Sequence, residues 1–168
     1  MLKIEYLPVD YSGCSSPKER RMLEHQKAYE LLEKMLLSEL SIKAPIYKRN
    51  ENGKPYIDNE GVFFNISHTN GLVCCAICDK EIGIDCEIIT NDDQNREKFA
   101  NRFFCENEIN LLRANGFDSL TFKKIWTAKE AFIKMRGDNM SSVKKIDTTL
   151  YNFEYLYLEN HIICISIL

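Results

Sequence analysis

The sequence lacks the features that mark membrane, secreted and repeat proteins. It has no run of about 18 apolar residues, so it predicts no membrane-spanning helix. The first residues, "MLKIEYLPVDYSGCSS", contain no long apolar stretch of the kind found in signal peptides, which favours a cytoplasmic protein. Internal repeats and low-complexity segments are also missing. The 168 residues are therefore expected to form one domain or two very small ones.

The sequence also has little net charge. It contains 22 Lys and Arg against 25 Asp and Glu, a formal net charge of −3. With so small an excess, no general attraction to nucleic acid or to an anionic membrane is expected, although a local basic site remains possible. The composition, 45% hydrophobic and 28% charged, is typical of a globular chain.

The seven cysteines do not predict a disulfide framework, because their number is odd and no secretion signal precedes them. Cys75 and Cys78 have the CxxC spacing of some zinc sites. They fall in "LVCCAICD", however, which predicts a strand, and strand residues three apart point to opposite faces. Since no second Cys or His pair follows, we interpret the cysteines as reduced and buried.

Extended and helical patterns alternate along the chain. The predicted strands cover 2–7, short segments on either side of a polar turn at 50–53, three segments within 61–89 with turns at 70–71 and 79–80, and two segments of the tail that turn at 159–160. The predicted helices cover 17–41, as one or two helices, 91–116 with an acidic start, and a segment that opens at Ser119 or Thr121 and closes at Gly137. This order predicts an α+β fold rather than a parallel α/β sheet.

Two carboxylates lie two residues apart in "IGIDCEII", which otherwise predicts a buried strand. Because side chains alternate along a strand, Asp85 and Glu87 are expected on one face, about 7 Å apart. Such a pair suits Mg²⁺, which commonly binds one or two carboxylates together with substrate phosphates. The alternative is a solvent-facing pair on an edge strand.

A second group of charged residues lies in "IWTAKEAFIK". Trp126, Glu130, Ile133 and Lys134 share one stripe of the predicted helix, and an acid and a base beside a tryptophan are not an ordinary solvated face. Glu130 and Lys134 could equally form a helix-stabilising ion pair worth a few tenths of a kcal/mol.

The segments "NGKPYI" and "FFNISHTNG" supply further candidates. Ser67 and His68 end a predicted strand just before a turn, where a phosphate could reach them, and Lys54 and Pro55 follow a flexible glycine. Taken alone, His68 could be structural and the GKP sequence could be only a turn.

The order of these motifs is more specific than any one of them. "SPKERR" (16–21), "GKP", "NISHT", "GIDCE", "RFFCENE" (102–108) and "WTAKEAFIKMRG" together resemble the 4′-phosphopantetheinyl transferases, in particular the surfactin-type branch. The resemblance covers roughly residues 15 to 140, and the pair "GIDCE" and "WTAKEAFIKMRG" is highly specific. It implies an α+β pseudo-dimer of two similar halves, each with a small antiparallel sheet and helices. We expect a coenzyme A-binding half at 1–82 and a half with the metal site and catalytic helix at 83–168.

The resemblance also implies a reaction. Such enzymes move the phosphopantetheine arm of coenzyme A to a serine of a carrier protein and release adenosine 3′,5′-bisphosphate, with Mg²⁺ at the pyrophosphate. The implied metal ligands are Asp85, Glu87 and Glu130, and Glu130 is also the candidate general base on the carrier serine. Contacts to coenzyme A are implied for Lys134 at the phosphates, Ser67 and His68 at the 3′-phosphate and pyrophosphate, and Lys54 and Pro55 at the adenine. Lys129 is expected to face phosphate or solvent, and Trp126 to pack and position the helix.

The sequence departs from the family pattern at three places. Cys86 replaces an aliphatic residue and is expected to point away from the metal, and Thr69 stands where serine is common. The basic residue expected early in the first long helix, which would bind the 3′-phosphate, is either His25 or Lys27.

The sequence suggests a surface for the carrier protein and leaves several functions open. The segment 111–124, with Arg113, Lys123 and Lys124, is a candidate surface for an acidic carrier protein. Because both halves occur in one chain, a monomer is expected rather than the trimer of short acyl-carrier synthases that act in fatty-acid synthesis. A non-catalytic coenzyme A-binding module and a Mg²⁺-dependent pyrophosphate hydrolase are two further functions that these residues allow.

Overall fold

The computed structural model describes residues 1–59, 61–90 and 95–168. The strands are β1 (Leu2–Pro8), β2 (Tyr47–Arg49), β3 (Pro55–Ile57), β4 (Phe63–Thr69), β5 (Leu72–Cys78), β6 (Ile82–Ile88), β7 (Glu154–Leu158) and β8 (His161–Ile167). The helices are α1 (Pro17–Leu40), α2 (Arg96–Phe103), α3 (Glu106–Ala114) and α4 (Ser119–Arg136), followed by 3₁₀ helices at Met140–Lys145 and Thr148–Leu150. The predicted α+β class is confirmed. None of these helices combines the length and the apolar character needed to cross a bilayer.

The first antiparallel sheet has the strand order β1-β5-β4, and α1 packs on one face of it. The helix begins where predicted, with the Ser16 hydroxyl accepting a hydrogen bond from the Glu19 nitrogen and Pro17 in the first turn. Every residue of β5 is buried, with Cys75 in the core under α1 and Cys78 in the core on the opposite face. The two cysteines therefore cannot bind one ion, and all seven cysteines are free thiols.

The second sheet has the order β6-β8-β7, and α4 packs against β6 and β8. The two sheets have the same connectivity. In each, one strand is followed by helical structure and then by two antiparallel strands, and the last of the three strands in sequence lies in the middle of the sheet. The short β2-β3 ribbon is separate from both sheets.

Side chains of β4 join the two sheets at β6. The Asn65 side-chain oxygen accepts a hydrogen bond of 2.9 Å from the Ile84 nitrogen, and the Ser67 hydroxyl accepts one of 3.4 Å from the Cys86 nitrogen. On one face, a continuous apolar cluster runs across this junction from β5 to β6 and β8. The N-terminal sheet thus continues into the C-terminal one through side-chain rather than backbone hydrogen bonds.

The predicted strands and hairpin turns are confirmed, and two helix predictions need correction. The helix predicted over 91–116 is two helices, because the chain is extended at Phe104 and Cys105; the acidic start predicted at 91–94 lies outside the described residues. Helix α4 begins at Ser119, but its cap is Asp118, whose carboxylate accepts from the Thr121 nitrogen at 3.0 Å. The segment 17–40 is one helix.

Helix α4 lies very close to β6 at Gly83. A Cβ atom at this position would lie 1.9 Å from the carbonyl oxygen of Ala131 and 2.4 Å from the nitrogen of Met135. Both are backbone atoms, so no side-chain rotation could relieve the contact. Glycine at position 83 therefore sets the separation between α4 and β6.

We expect Gly83→Ala to push α4 away from β6 and to lower the free energy of unfolding by about 1–3 kcal/mol, the usual cost of overpacking. Urea unfolding followed by circular dichroism would measure it. Gly61→Ala is the control, since its Cβ would meet open space and only the left-handed backbone, φ +71°, opposes it. Equal stability of Gly83→Ala and the unaltered protein would contradict this account of the packing.

Candidate active site

Three carboxylates meet where α4 lies on β6. Asp85 and Glu87 come from one face of β6 and Glu130 from α4, and ligand oxygens of the three lie within 4.8 Å of one another. They line a cavity of about 320 Å³ together with Ser67, His68 and Lys134. The structure thus brings together residues 67–68, 85–87 and 130–134, as the sequence predicts.

Asp85 lies at the centre of this group and is only 2% exposed. Its Oδ1 accepts hydrogen bonds from the Ser67 hydroxyl at 2.9 Å and from Lys134 Nζ at 2.7 Å. Its Oδ2 is buried and has no hydrogen-bond partner among the described residues. The alternative of a solvent-facing pair on an edge strand is therefore wrong for Asp85.

The electrostatics of the cluster favour a proton or a cation between the carboxylates. Burial, followed by the nearby charge of Asp85, raises the pKa of Glu130 to about 8. Burial opposes the charge of Lys134, but Asp85 and Glu130 outweigh it and raise the pKa of this lysine above its ordinary value. The site therefore combines a firmly charged ammonium with a carboxyl that is hard to ionise.

The residues present fit a hard divalent cation. Mg²⁺ binds carboxylate oxygens, and three of them converge here around the unpartnered Asp85 Oδ2. An unpaired buried carboxylate oxygen is costly, and a cation at this place would remove that cost. Asp85, Glu87 and Glu130 are therefore the candidate metal ligands.

Glu87 and Cys86 behave differently from Asp85. Glu87 is partly exposed and accepts from Lys123 Nζ at 2.8 Å, an ion pair that sequence reasoning missed. Cys86 is buried with Cys74 and Ile84 in the apolar cluster between the sheets, as an orientation away from the carboxylates would require, although it also borders the cavity.

Residues of α1, β2 and β3 also line the cavity. His25 lines it, whereas Lys27 does not and instead pairs with Glu30 at 2.7 Å. Pro55 and Arg49 also line the cavity. Arg49 was missed, because a basic residue just before a polar turn gives no local signal.

Lys54 contacts the end of α4 rather than the carboxylates. Its Nζ donates to the Met135 carbonyl at 2.7 Å and pairs with Glu81, and it lines a neighbouring cavity of about 310 Å³. The side chains of Asn50 and Asn52 donate to the Gly137 carbonyl at 3.4 and 2.9 Å. The turn before β3 therefore binds the last carbonyl groups of α4.

The expectation that Lys129 faces phosphate or solvent is wrong. Lys129 is fully buried, pairs with the equally buried Glu108 at 2.7 Å and donates to the carbonyls of Val143 and Ile146. Successive helix residues are about 100° apart, so the neighbour of Glu130 points into the C-terminal core. Trp126 packs against Phe99, as the packing interpretation predicts.

A cluster of carboxylates beside a lysine and a histidine is typical of sites that bind a metal and a phosphate together. The family model of the 4′-phosphopantetheinyl transferase superfamily matches residues 81–161 of this chain, which contain all three carboxylates. Curated relatives carry the same name, and one of them is 31% identical over 74% of this chain and 67% of its own length. The chain belongs to the 4′-phosphopantetheinyl transferase superfamily.

Three relatives show the extent of the similarity. The 4′-phosphopantetheinyl transferase gsp of Aneurinibacillus migulanus is 39% identical over 114 residues, 66% of this chain and 46% of the relative. HetI of Nostoc sp. is 34% identical over 105 residues, 58% of this chain and 44% of HetI. AcpT of Salmonella typhimurium is 31% identical over 129 residues, 74% of this chain and 67% of AcpT. The chain thus spans less than half the length of gsp and HetI.

The raised pKa of Glu130 predicts a pH dependence of stability in metal-free protein. Between the unfolded value of 4.5 and about 8, the folded state keeps a proton that the unfolded state releases. The contribution of Glu130 to the free energy of unfolding is therefore fully present below its unfolded pKa of 4.5 and is lost as the pH rises through its folded pKa of about 8. Relative to Glu130→Gln, the unaltered protein should lose unfolding free energy from about pH 5 to about pH 8 in urea titrations with a chelator. Glu154→Gln, at an exposed position of β7, is the control; parallel pH profiles for Glu130→Gln and the unaltered protein would rule out the assignment.

The buried pair of Lys129 and Glu108 predicts a structural effect. We expect Lys129→Met to lower the free energy of unfolding by about 3–5 kcal/mol, because it leaves the Glu108 carboxylate buried without its cation. Thermal and urea unfolding would measure the loss, with Lys145→Met, at an exposed site, as the control. Unchanged stability combined with weaker phosphate binding would instead indicate that Lys129 faces phosphate.

Proposed function

We propose that the chain is a 4′-phosphopantetheinyl transferase of the surfactin-type branch that acts as a holo-[acyl-carrier-protein] synthase. It moves the 4′-phosphopantetheine arm of coenzyme A to a serine of an apo carrier protein, acyl or peptidyl, and releases adenosine 3′,5′-bisphosphate. One observation supports this most strongly: Asp85, Glu87, Glu130 and Lys134 line one cavity in a member of this superfamily.

Asp85, Glu87 and Glu130 would hold Mg²⁺, which neutralises charge on the pyrophosphate when bound. In the proposed reaction the serine oxygen bonds to the phosphorus on the pantetheine side, and the bond from that phosphorus to the bridging oxygen breaks. Glu130 takes the serine proton, directly or through a water. Adenosine 3′,5′-bisphosphate leaves with the bridging oxygen.

Lys134 is suited to hold the phosphates. An ammonium group has three hydrogen-bond donors, and Asp85 and Ser67 take two of them, at 2.7 and 2.9 Å. The third can reach a phosphate oxygen in the cavity. His68 and Pro55 line the same cavity and supply further coenzyme A contacts. Ser67 lines it too, but its hydroxyl hydrogen is donated to Asp85, so a phosphate oxygen would have to take over that hydrogen bond. The contact of Lys54 with adenine would use the stem and backbone rather than the ammonium.

The division of the chain also belongs to the proposal. The equal connectivity of the two sheets supports a pseudo-dimer, with residues 1–82 binding coenzyme A and residues 83–168 supplying the metal site and the catalytic helix. Because the cavity draws residues from both halves of a single copy, we propose a monomer. Seven free thiols suit a reducing compartment, so we propose that the protein works in the cytoplasm.

The carrier protein is proposed to dock on the segment 111–124, next to the cavity. Leu111 and Leu120 are exposed there, each at 42%. Lys123 reaches the site through Glu87, and Lys124 lies over the ring of Tyr155 at 5.1 Å. An acidic carrier with an apolar patch would complement this surface.

The test is phosphopantetheine transfer in a purified system. With Mg²⁺, coenzyme A and a panel of apo acyl and peptidyl carriers, we expect intact-mass spectrometry to show a carrier gaining one phosphopantetheine. Glu87→Gln and Glu130→Gln should abolish transfer, because each removes an anionic ligand without changing side-chain size. Glu154→Gln, an exposed and equally conservative change, should retain it.

Each outcome points to a different function. Near-normal transfer by both variants would contradict the metal assignment. Coenzyme A binding without transfer to any carrier would favour a non-catalytic module, and release of adenosine 3′,5′-bisphosphate without a carrier would favour a hydrolase. Modification of fatty-acid carriers alone would favour a short acyl-carrier synthase.

A further inference from the structure

Glu24 is a carboxylate on the core-facing side of α1. The helix otherwise buries only apolar side chains: Ala28, Leu31, Leu32, Met35 and Leu36. Glu24 is 6% exposed, close to the 5% of Leu31. A charge at such a position is costly unless hydrogen bonds satisfy it, so its partners indicate what it does.

Three donors from different parts of the chain converge on Glu24. Its Oε1 accepts from the Tyr11 hydroxyl and, at 2.9 Å, from the Gly71 nitrogen. Its Oε2 lies 3.1 Å from His68 Nδ1. Burial raises the pKa of Glu24, but the hydrogen bonds from Gly71, Tyr11 and His68 outweigh it and lower the pKa below the ordinary value. Glu24 is therefore an ionised, fixed acceptor for the ring of His68.

His68 connects this buried carboxylate to the candidate active site. Its ring lines the cavity that contains Asp85, Glu130 and Lys134. One ring nitrogen, Nδ1, faces Glu24, and the other, Nε2, has no hydrogen-bond partner within the described parts of the chain. A carboxylate behind one nitrogen of a histidine fixes the ring orientation and keeps a proton on that nitrogen.

We propose that Glu24 is a positioning residue for His68 and, through it, for a phosphate group of coenzyme A. In the complex, Nδ1–H donates to Glu24 and Nε2–H donates to a phosphate oxygen, so the ring carries both protons while the phosphate is bound. Tyr11 and Gly71 hold the carboxylate in place from the other side. This inference rests on the proposed coenzyme A site.

A double-mutant cycle tests the coupling. We expect Glu24→Gln to weaken coenzyme A binding, measured by calorimetry with Mg²⁺ and no carrier protein, by roughly ten-fold, or about 1.4 kcal/mol. In a His68→Asn background, Glu24→Gln should cause no further loss, because the residue through which it acts is gone. In transfer assays KM for coenzyme A should rise while kcat is largely retained.

Controls separate positioning from folding. Glu33→Gln changes an exposed carboxylate on the same helix and should leave the affinity unchanged, and urea unfolding of each variant measures any structural cost. Equal losses from Glu24→Gln with and without His68, or no loss at all, would overturn the proposal. Rescue of affinity by Glu24→Asp would support it, since the charge is kept.

Ring-nitrogen NMR gives a readout independent of activity. The chain has three histidines, so a His68→Asn spectrum identifies the signals of His68. We expect the His68 signals to show a proton on Nδ1 in the ligand-free protein and on both nitrogens with coenzyme A, and Glu24→Gln to remove the Nδ1 preference. If the unaltered protein does not bind coenzyme A, the proposed function is wrong. If the His68 signals are the same in Glu24→Gln as in the unaltered protein, the positioning role is wrong, whether or not a ligand binds.

Discussion

The acidic cleft depends on how closely a helix can lie on a strand. Residues on α4 reach Asp85 only because the helix backbone touches β6 at Gly83, where a Cβ would overlap the Ala131 carbonyl. From this close backbone, Lys134 Nζ bonds Asp85 Oδ1 at 2.7 Å and Ser67 Oγ at 2.9 Å. One missing side chain thus permits an ammonium from α4, a hydroxyl from β4 and a carboxylate from β6 to meet.

The same closeness concentrates negative charge, and the structure balances only part of it. Lys134 bonds Asp85 and Lys123 pairs with Glu87, while Glu130 has its pKa raised to about 8. The site is therefore less stable than an apolar one of the same shape would be, and a bound cation would remove the repulsion. Binding sites commonly lower the stability of the folded protein in this way, because function requires groups that repel one another.

Sequence reasoning could find whatever is encoded locally. Alternation places Asp85 and Glu87 on one face, and helical spacing places Glu130 one turn before Lys134, so the cluster could be predicted once its family resemblance was noticed. It could not find partners that only the fold brings together. Glu24 looks like any glutamate of a polar helix start, and its role depends on His68 and Gly71, which lie 44 and 47 residues away. For Lys129 the prediction failed in the other direction. Its position next to Glu130 in the sequence suggested a shared role, but the two side chains leave α4 on different sides, and Lys129 pairs with the buried Glu108.

The contact between the 50–54 turn and the end of α4 has a consequence for biosynthesis. Asn52 and Lys54 bond carbonyls 85 and 81 residues away. The turn at 50–54 is synthesised well before α4, so Asn50, Asn52 and Lys54 lack their carbonyl partners until α4 has left the ribosome. Contacts of such sequence separation form late and slowly. The cleft is therefore among the last parts of the molecule to be completed, and a nascent or truncated chain that ends before residue 130 lacks two of its residues, Glu130 and Lys134.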